Sequence, residues 1–183
     1  MLDVVNLKKL LTSSILTEAQ DDSKDKLAAV MIIIFGNEPM MLMIERSKTM
    51  NHHAGEISFP GGTWNKNDGD LLETAIRETK EELGIEISRS MIIGNLQPVT
   101  TLNSGFKIFP FIVMLENLPN IKLNSEIASV LRIPLFSLLK TIEDDKDPLH
   151  KSILEMHTFK FHDHLIWGAS ARMLKQILVK LSS

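Results

Sequence analysis

Residues 59–85 read FPGGTWNKNDGDLLETAIRETKEELGI, and the second half of this stretch decides how the chain is read. It follows the grammar of a helix. Asp70 is placed to cap an N-terminus, and Glu73, three residues on, completes a capping box. Gly84 can close the helix in a left-handed conformation. At about 100° per residue, Leu72, Ala75, Ile76, Thr79 and Leu83 share one stripe, the natural core face. Glu78, Glu81 and Glu82 gather on another, roughly 120° away. Like charges at these spacings repel, each pair costing a few tenths of a kcal/mol. Arg77 is the residue placed to offset that repulsion, one turn before Glu81. Such a cluster is either a solvated acidic face or a site for a hard cation such as Mg²⁺, which takes oxygen ligands and keeps waters for substrate phosphates.

The run Arg77-Glu78-Thr79-Lys80-Glu81-Glu82-Leu83-Gly84-Ile85 resembles the Nudix box, the signature of Nudix hydrolases, G-x5-E-x7-R-E-U-x-E-E-x-G-U with U aliphatic. This half matches position by position, with Thr79 at the first aliphatic place. The upstream half departs. Counting from Gly62, Asp68 stands where the pattern has Glu, and eight residues rather than seven separate it from Arg77. The resemblance implies a metal-dependent hydrolase in which Glu78 and Glu82 ligate Mg²⁺ or Mn²⁺. Glu81 is then a third ligand or a partner held by Arg77. The backbone carbonyl of Gly61 or Gly62 joins them, since a Pro-Gly-Gly turn lets backbone approach closely.

Residues 46–62, RSKTMNHHAGEISFPGG, are similar to the signature that precedes the Nudix box in coenzyme A diphosphatases, L-L-x-x-R-S-x-x-x-R-x-H-x-G-x-V-x-F-P-G-G. Arg46, Ser47, His53, Gly55, Phe59, Pro60, Gly61 and Gly62 match, Ile57 stands in for Val, and Asn51 replaces the second Arg. An Asn there removes a charge-assisted bond if that Arg engages a phosphate. On their own, the adjacent His52 and His53 point apart in extended backbone, which favours loop or substrate contacts over a shared ion. The resemblance implies that Arg46, Ser47 and His53 contact substrate. That substrate is coenzyme A or an acyl-CoA, cut to adenosine 3′,5′-bisphosphate and a phosphopantetheine. Glu126 reads locally as a helix-start or surface acid. Related proteins carry an acid before a short apolar strand ending in Pro-Leu, here Pro134-Leu135, which implies a fourth carboxylate near the metals. The general base is open among Glu78, Glu81 and Glu126. Residues 166–171 resemble an I-W-G-x-T-A sequence near the end of the same proteins, and Trp167 reads as a packing anchor.

The family implies an α/β fold, the Nudix fold, an α/β/α sandwich with a mixed β-sheet. The alternation of elements is compatible with it. Length indicates a single domain over residues 1–183, with an amphipathic N-terminal helix at about residues 2–17 and the Nudix box at about residues 62–85. Residues 28–35 form a continuous apolar, β-branched run, as in a strand buried on both faces. A turn at residues 36–39 makes a hairpin with residues 40–45. Pro110 marks residues 106–114 as an edge or bulged strand. Residues 156–161 and 165–167 read as two strands around a turn containing His162 and His164, and residues 169–181 as a closing helix.

With no cysteine, disulfides, thiol catalysis and thiolate metal sites are excluded. A net charge of −3 gives no support for a nucleic-acid partner. The first residues lack a secretory pattern, and the longest apolar run falls far short of the ~20 residues of a membrane span. The expectation is a soluble, cytoplasmic protein with a small nucleotide substrate, no membrane partner, and room for a homodimer. Two rival readings stand beside it. One is a Nudix pyrophosphatase for another nucleoside diphosphate derivative, such as ADP-ribose or a dinucleotide. The other is a non-catalytic Nudix ligand-binding module, whose expected mark is loss of the helical carboxylates that this chain retains.

Overall fold

The apolar run becomes β1 (Lys26–Phe35), the strand on which the architecture is built. The computed structural model describes residues 4–18, 26–49, 54–102, 104–146 and 156–182. Side chains alternate across a strand, and β1 feeds two cores in turn: Ile32 and Ile34 enter one, Met31 and Ile33 the other. One edge of β1 is taken along its whole length by β7 (Phe106–Leu115), in parallel, from Lys26 opposite Phe106 to Phe35 opposite Leu115. The other edge is divided. β2 (Met40–Arg46) pairs with its far end, Ile33 opposite Leu42. β4 (Gly61–Thr63) pairs with its near end, Ala29 opposite Gly62.

β2 is covered along its outer edge by β8 (Ile127–Pro134), so β3 (Ile57–Ser58), paired at Ile44 opposite Ser58, lies on the same side of β2 as β1 does. β1 and β2 therefore diverge, and residues 57–63 form a wedge between them. The far edge of β7 carries β5 (Ile92–Asn95) and β6 (Val99–Thr100).

Helix α2 (Leu71–Leu83) packs Leu71, Leu72, Ala75 and Leu83 on one face of this mixed sheet. Helices α1 (Val4–Leu11), α3 (Leu135–Leu139) and α4 (Gly168–Ser182) cover the other. The expected α/β/α sandwich is the observed one. A separate small sheet joins β9 (Glu143–Asp144), β10 (His157–Phe161) and β11 (His164–Ile166), with His162 in a left-handed conformation (φ 51°) at the tight turn.

Two sequence expectations are corrected. The N-terminal helix stops at Leu11 rather than near residue 17. Both the amide and the hydroxyl of Thr12 turn back to the carbonyl of Lys8, at 2.9 and 2.8 Å. Residues 12–17 then run as a strap over β5: the Ser13 amide donates to the Ile93 carbonyl (3.1 Å) and the Leu16 amide to the Asn95 side chain (3.1 Å). Gly94 makes the crossing feasible, because a Cβ there would lie 2.7 Å from the Leu11 carbonyl oxygen. Ile15, whose spacing suggests more helix, is substantially exposed. Pro110 is likewise not on an edge strand, since β7 is paired on both sides. Its carbonyl accepts from Leu96 at 3.0 Å, on the side where β5 gives way to β6. Gln97, in that gap, bonds through its backbone to the side chain of Gln176 instead, at 2.8 and 3.1 Å. The missing proline N–H falls where the ladder is already interrupted.

Candidate active site

Helix α2 carries the acids, and its ends are fixed as its sequence dictates. Asp70 accepts from the Glu73 amide at 2.9 Å, and Gly84 (φ 68°) closes the helix with its amide on the Lys80 carbonyl. The reciprocal half of the expected capping box is replaced by a tertiary contact: Arg89 donates to Glu73 at 3.1 Å and to Asp70 at 2.6 Å. Thr79 fits the aliphatic position it occupies by donating its hydroxyl to the Ala75 carbonyl (2.7 Å), which satisfies its polar atom inside the core.

Arg77 is the hub of the acid wall. Its Nε and Nη2 donate to the two oxygens of Asp68 at 2.8 and 3.0 Å. Nη1 donates to Glu78 at 2.7 Å and to Glu81 at 3.2 Å. Spacing along the helix anticipated Glu81 alone. Asp68 reaches Arg77 despite the extra residue because that residue is absorbed in a turn. The Asp68 amide donates to the Asn65 carbonyl (2.8 Å), and the Asn65 amide donates back to the Asp68 carboxylate (3.1 Å). The bond from Arg77 holds the Asp68 carboxyl down to about 2, against burial that pushes it the other way.

The wedge supplies the other side of this wall. Gly62 lies against Glu78 so closely that a Cβ would sit 2.4 Å from its carboxyl carbon. Gly61 takes a φ of 150°, a Cβ there would lie 2.2 Å from the Ala29 carbonyl oxygen, and its amide donates to Glu82 at 2.9 Å. Glu82 is almost wholly enclosed, 2% exposed. Burial pushes its carboxyl up to about 7, against the lowering pull of the Gly61 amide and Arg46. Glu78 is also raised, chiefly by burial. Glu81 and Glu126, by contrast, leave more than half of their side chains open, at 56% and 55%.

Arg46 spans the second pair of acids, 3.6 Å from Glu82 and 3.9 Å from Glu126. Its Nε is buried with no hydrogen-bond partner among the described residues. Arg46, Gly62, Glu78, Glu81, Glu82 and Glu126 thus line one cleft of about 610 Å³. Ser47 is not among the residues lining it. The Ser47 hydroxyl is 2.8 Å from that of Thr49, and its amide bonds to the Glu126 carbonyl at 2.7 Å. His53 and Asn51 lie outside the described residues. The opposite wall is lined by Thr100, Phe106, Ile108, Met156, Trp167, Arg172 and Met173, of which the sequence analysis singles out Trp167 alone. Trp167, expected as a packing anchor, borders the cleft and is 38% exposed. The only local hints were the Ser104-Gly105-Phe106 loop and the run around Trp167.

The donors of the acid wall suit a hard cation: carboxylate oxygens, poorly solvated, beside backbone that carries no side chain at Gly62. Among the described residues no three acidic or histidine side chains converge into a ready-made ligand set. Arg77 stands between Glu78 and Glu81, and Arg46 between Glu82 and Glu126.

An α/β/α sandwich with an acid-walled cleft at the wedge of its sheet is the arrangement of a class of hydrolases, and comparison with known proteins identifies which. The NUDIX domain family model matches residues 25–155, so the chain belongs to the Nudix family. An uncharacterized Nudix hydrolase, NudL, of Yersinia enterocolitica is 30% identical over 154 residues, covering 82% of this chain and 78% of the relative. NudL of Yersinia pestis is 30% identical over 159 residues, covering 85% and 79%. Among solved structures, a MutT/nudix family protein from Enterococcus faecalis superposes with a TM-score of 0.62 at 16% identity, over 91% of this chain and 66% of that one, just under two thirds of its length. The NUDIX domain of Shewanella oneidensis NrtR, complexed with ADP ribose, gives 0.60 at 12% identity over 87% and 90%. These two similarities concern the fold. The protein is a Nudix hydrolase, and among the described residues no helix is long and apolar enough to cross a membrane.

Proposed function

We propose that this Nudix hydrolase cleaves the pyrophosphate of coenzyme A or an acyl-CoA, giving adenosine 3′,5′-bisphosphate and a phosphopantetheine. The observation that carries the reading is the junction at Arg46. The segment resembling coenzyme A diphosphatases begins at this residue, and its guanidinium meets Glu82 and Glu126 at the cleft at 3.6 and 3.9 Å, longer than hydrogen bonds, so that its Nη groups can serve a further acceptor. A pyrophosphate oxygen is such an acceptor.

Glu78 and Glu82 are the residues to hold Mg²⁺ or Mn²⁺, with Glu81 and the Gly62 carbonyl beside them. The cation supplies charge neutralisation on the pyrophosphate and activation of water. The remaining work falls to the chain. Arg77 fixes Glu78 and Glu81 while Asp68 fixes Arg77. The Gly61 amide orients Glu82. Glu78, Glu81 and Glu126 are the candidates to take the proton of the attacking water, and Glu81 and Glu126 have the more open carboxylates. His53 remains a proposed substrate contact, whereas Ser47, which does not line the cleft, acts through its backbone bond to Glu126 by holding that residue in place.

Incubating the protein with coenzyme A and Mg²⁺ or Mn²⁺ and separating the products tests this, and the expected product is adenosine 3′,5′-bisphosphate. Asn51, in place of an arginine, favours a second reading in which the substrate is another nucleoside diphosphate derivative such as ADP-ribose or a dinucleotide. Hydrolysis of those compounds with none of coenzyme A would transfer the assignment.

A further inference from the structure

The cleft is larger than its acidic end requires, and its opposite wall has a different chemistry. Phe106, Ile108, Met156, Trp167 and Met173 make that wall mostly apolar. Its charge is confined to one side chain. Among the described residues the cations lining the cleft are Arg46 and Arg172. Arg46 faces two carboxylates. Arg172 has no acidic partner among the described residues; its Nη1 donates to the Thr100 carbonyl at 2.8 Å. A neutral tether of this kind fixes the guanidinium at the rim without neutralising it, and leaves the rest of the fork for a planar or tetrahedral anion.

We propose that this wall is the subsite for a 3′-phosphorylated adenosine, with the adenine against Trp167 and the 3′-phosphate paired with Arg172. The inference rests on the coenzyme A reading. That substrate carries one phosphate monoester besides its pyrophosphate, and its pantetheine arm is uncharged and offers an arginine no partner. An indole face suits a purine, and a guanidinium fork suits a phosphate dianion.

The test is calorimetric titration of the metal-free protein with adenosine 3′,5′-bisphosphate and with AMP. The wild-type protein should bind the bisphosphate about tenfold more tightly, the effect of one charge-assisted contact. Arg172→Gln should bring the bisphosphate down to the affinity of AMP, Arg172→Lys should restore part of the difference, and Trp167→Ala should weaken both ligands by similar factors. A preference that survives Arg172→Gln overturns the proposal, as does Trp167→Ala leaving both affinities intact. Turnover of coenzyme A against its 3′-dephospho form separates this inference from the reading beneath it. A wild-type enzyme that cleaves coenzyme A, with Arg172→Gln still preferring it over the dephospho form, defeats the subsite alone. A wild-type enzyme that cleaves neither defeats the substrate reading and the subsite together.

Discussion

The two walls of the cleft are built in opposite ways. The acid wall is local: apart from Arg46 and Glu126, it comes from residues 61–82, a wedge strand and the helix that follows it. The apolar wall is assembled from residues as far apart as Thr100, Phe106, Ile108, Met156, Trp167 and Met173, brought together by the tertiary fold. Charge on the first wall depends on offsets along one helix, so that short spacings preserve it. Shape on the second depends on the whole fold. If the walls also divide the labour, changes on the first act on turnover and changes on the second on affinity.

The largest effect should come from Glu82→Gln, with kcat reduced about a thousandfold, the scale of several kcal/mol of lost charge stabilisation. Steady-state hydrolysis at saturating cation measures it, and a change confined to KM would break the division. Gly62→Ala should follow, with about a hundredfold loss, since its Cβ would displace the Glu78 carboxylate and small misplacements cost that much. The displaced group is the end of a flexible side chain, so the melting temperature should hardly move.

Stability against pH sharpens the contrast. Burial raises the Glu82 carboxyl from an ordinary 4.5 to about 7. The neutral form is therefore favoured by folding, and its contribution is full below pH 4.5 and lost as pH rises through 7. The loss is on the order of 3 kcal/mol. Chelated wild-type protein should thus be less stable than Glu82→Gln at pH 8 and equal to it at pH 4, by urea denaturation at each pH. Asp68→Ala should cost about 1–2 kcal/mol in the same assay through the lost bonds to Arg77, and about tenfold in turnover as the glutamates loosen. The smallest effect is expected across the cleft, where Trp167→Ala should raise KM about fivefold with kcat unchanged. A fall in kcat there would show that the apolar wall also orients the scissile bond.

Helix α2 was legible from sequence because its signals are near neighbours: Asp70 and Gly84 cap it, and Leu72, Ala75, Thr79 and Leu83 are buried as their spacing indicated. What sequence did not show came from elsewhere in the chain. Glu73 turns to Arg89, which draws it out of the capping box. Glu82, grouped by periodicity with the other acids, is buried because Gly61 of the wedge covers it. Asp68 carries a bidentate bond that motif counting placed one residue out of step, since a turn can absorb an insertion that a helix cannot. The N-terminal periodicity overruns at Ile15 because contacts to β5 draw residues 12–17 out of the helix. Trp167, read as a packing anchor, borders the cleft at 38% exposure, since apolar character alone does not distinguish a core position from a cleft wall.

The strap of residues 12–17 also reaches α2. Its last carbonyl, that of Thr17, accepts from the amide of Leu71 at 3.1 Å, which occupies one of the donors left open at the start of α2. A protein shortened to begin after residue 17 would keep every glutamate yet lose this mooring and the clasp over Gly94. Fusion partners, trimming or proteolysis at the front of the chain would therefore be felt at a centre they never touch.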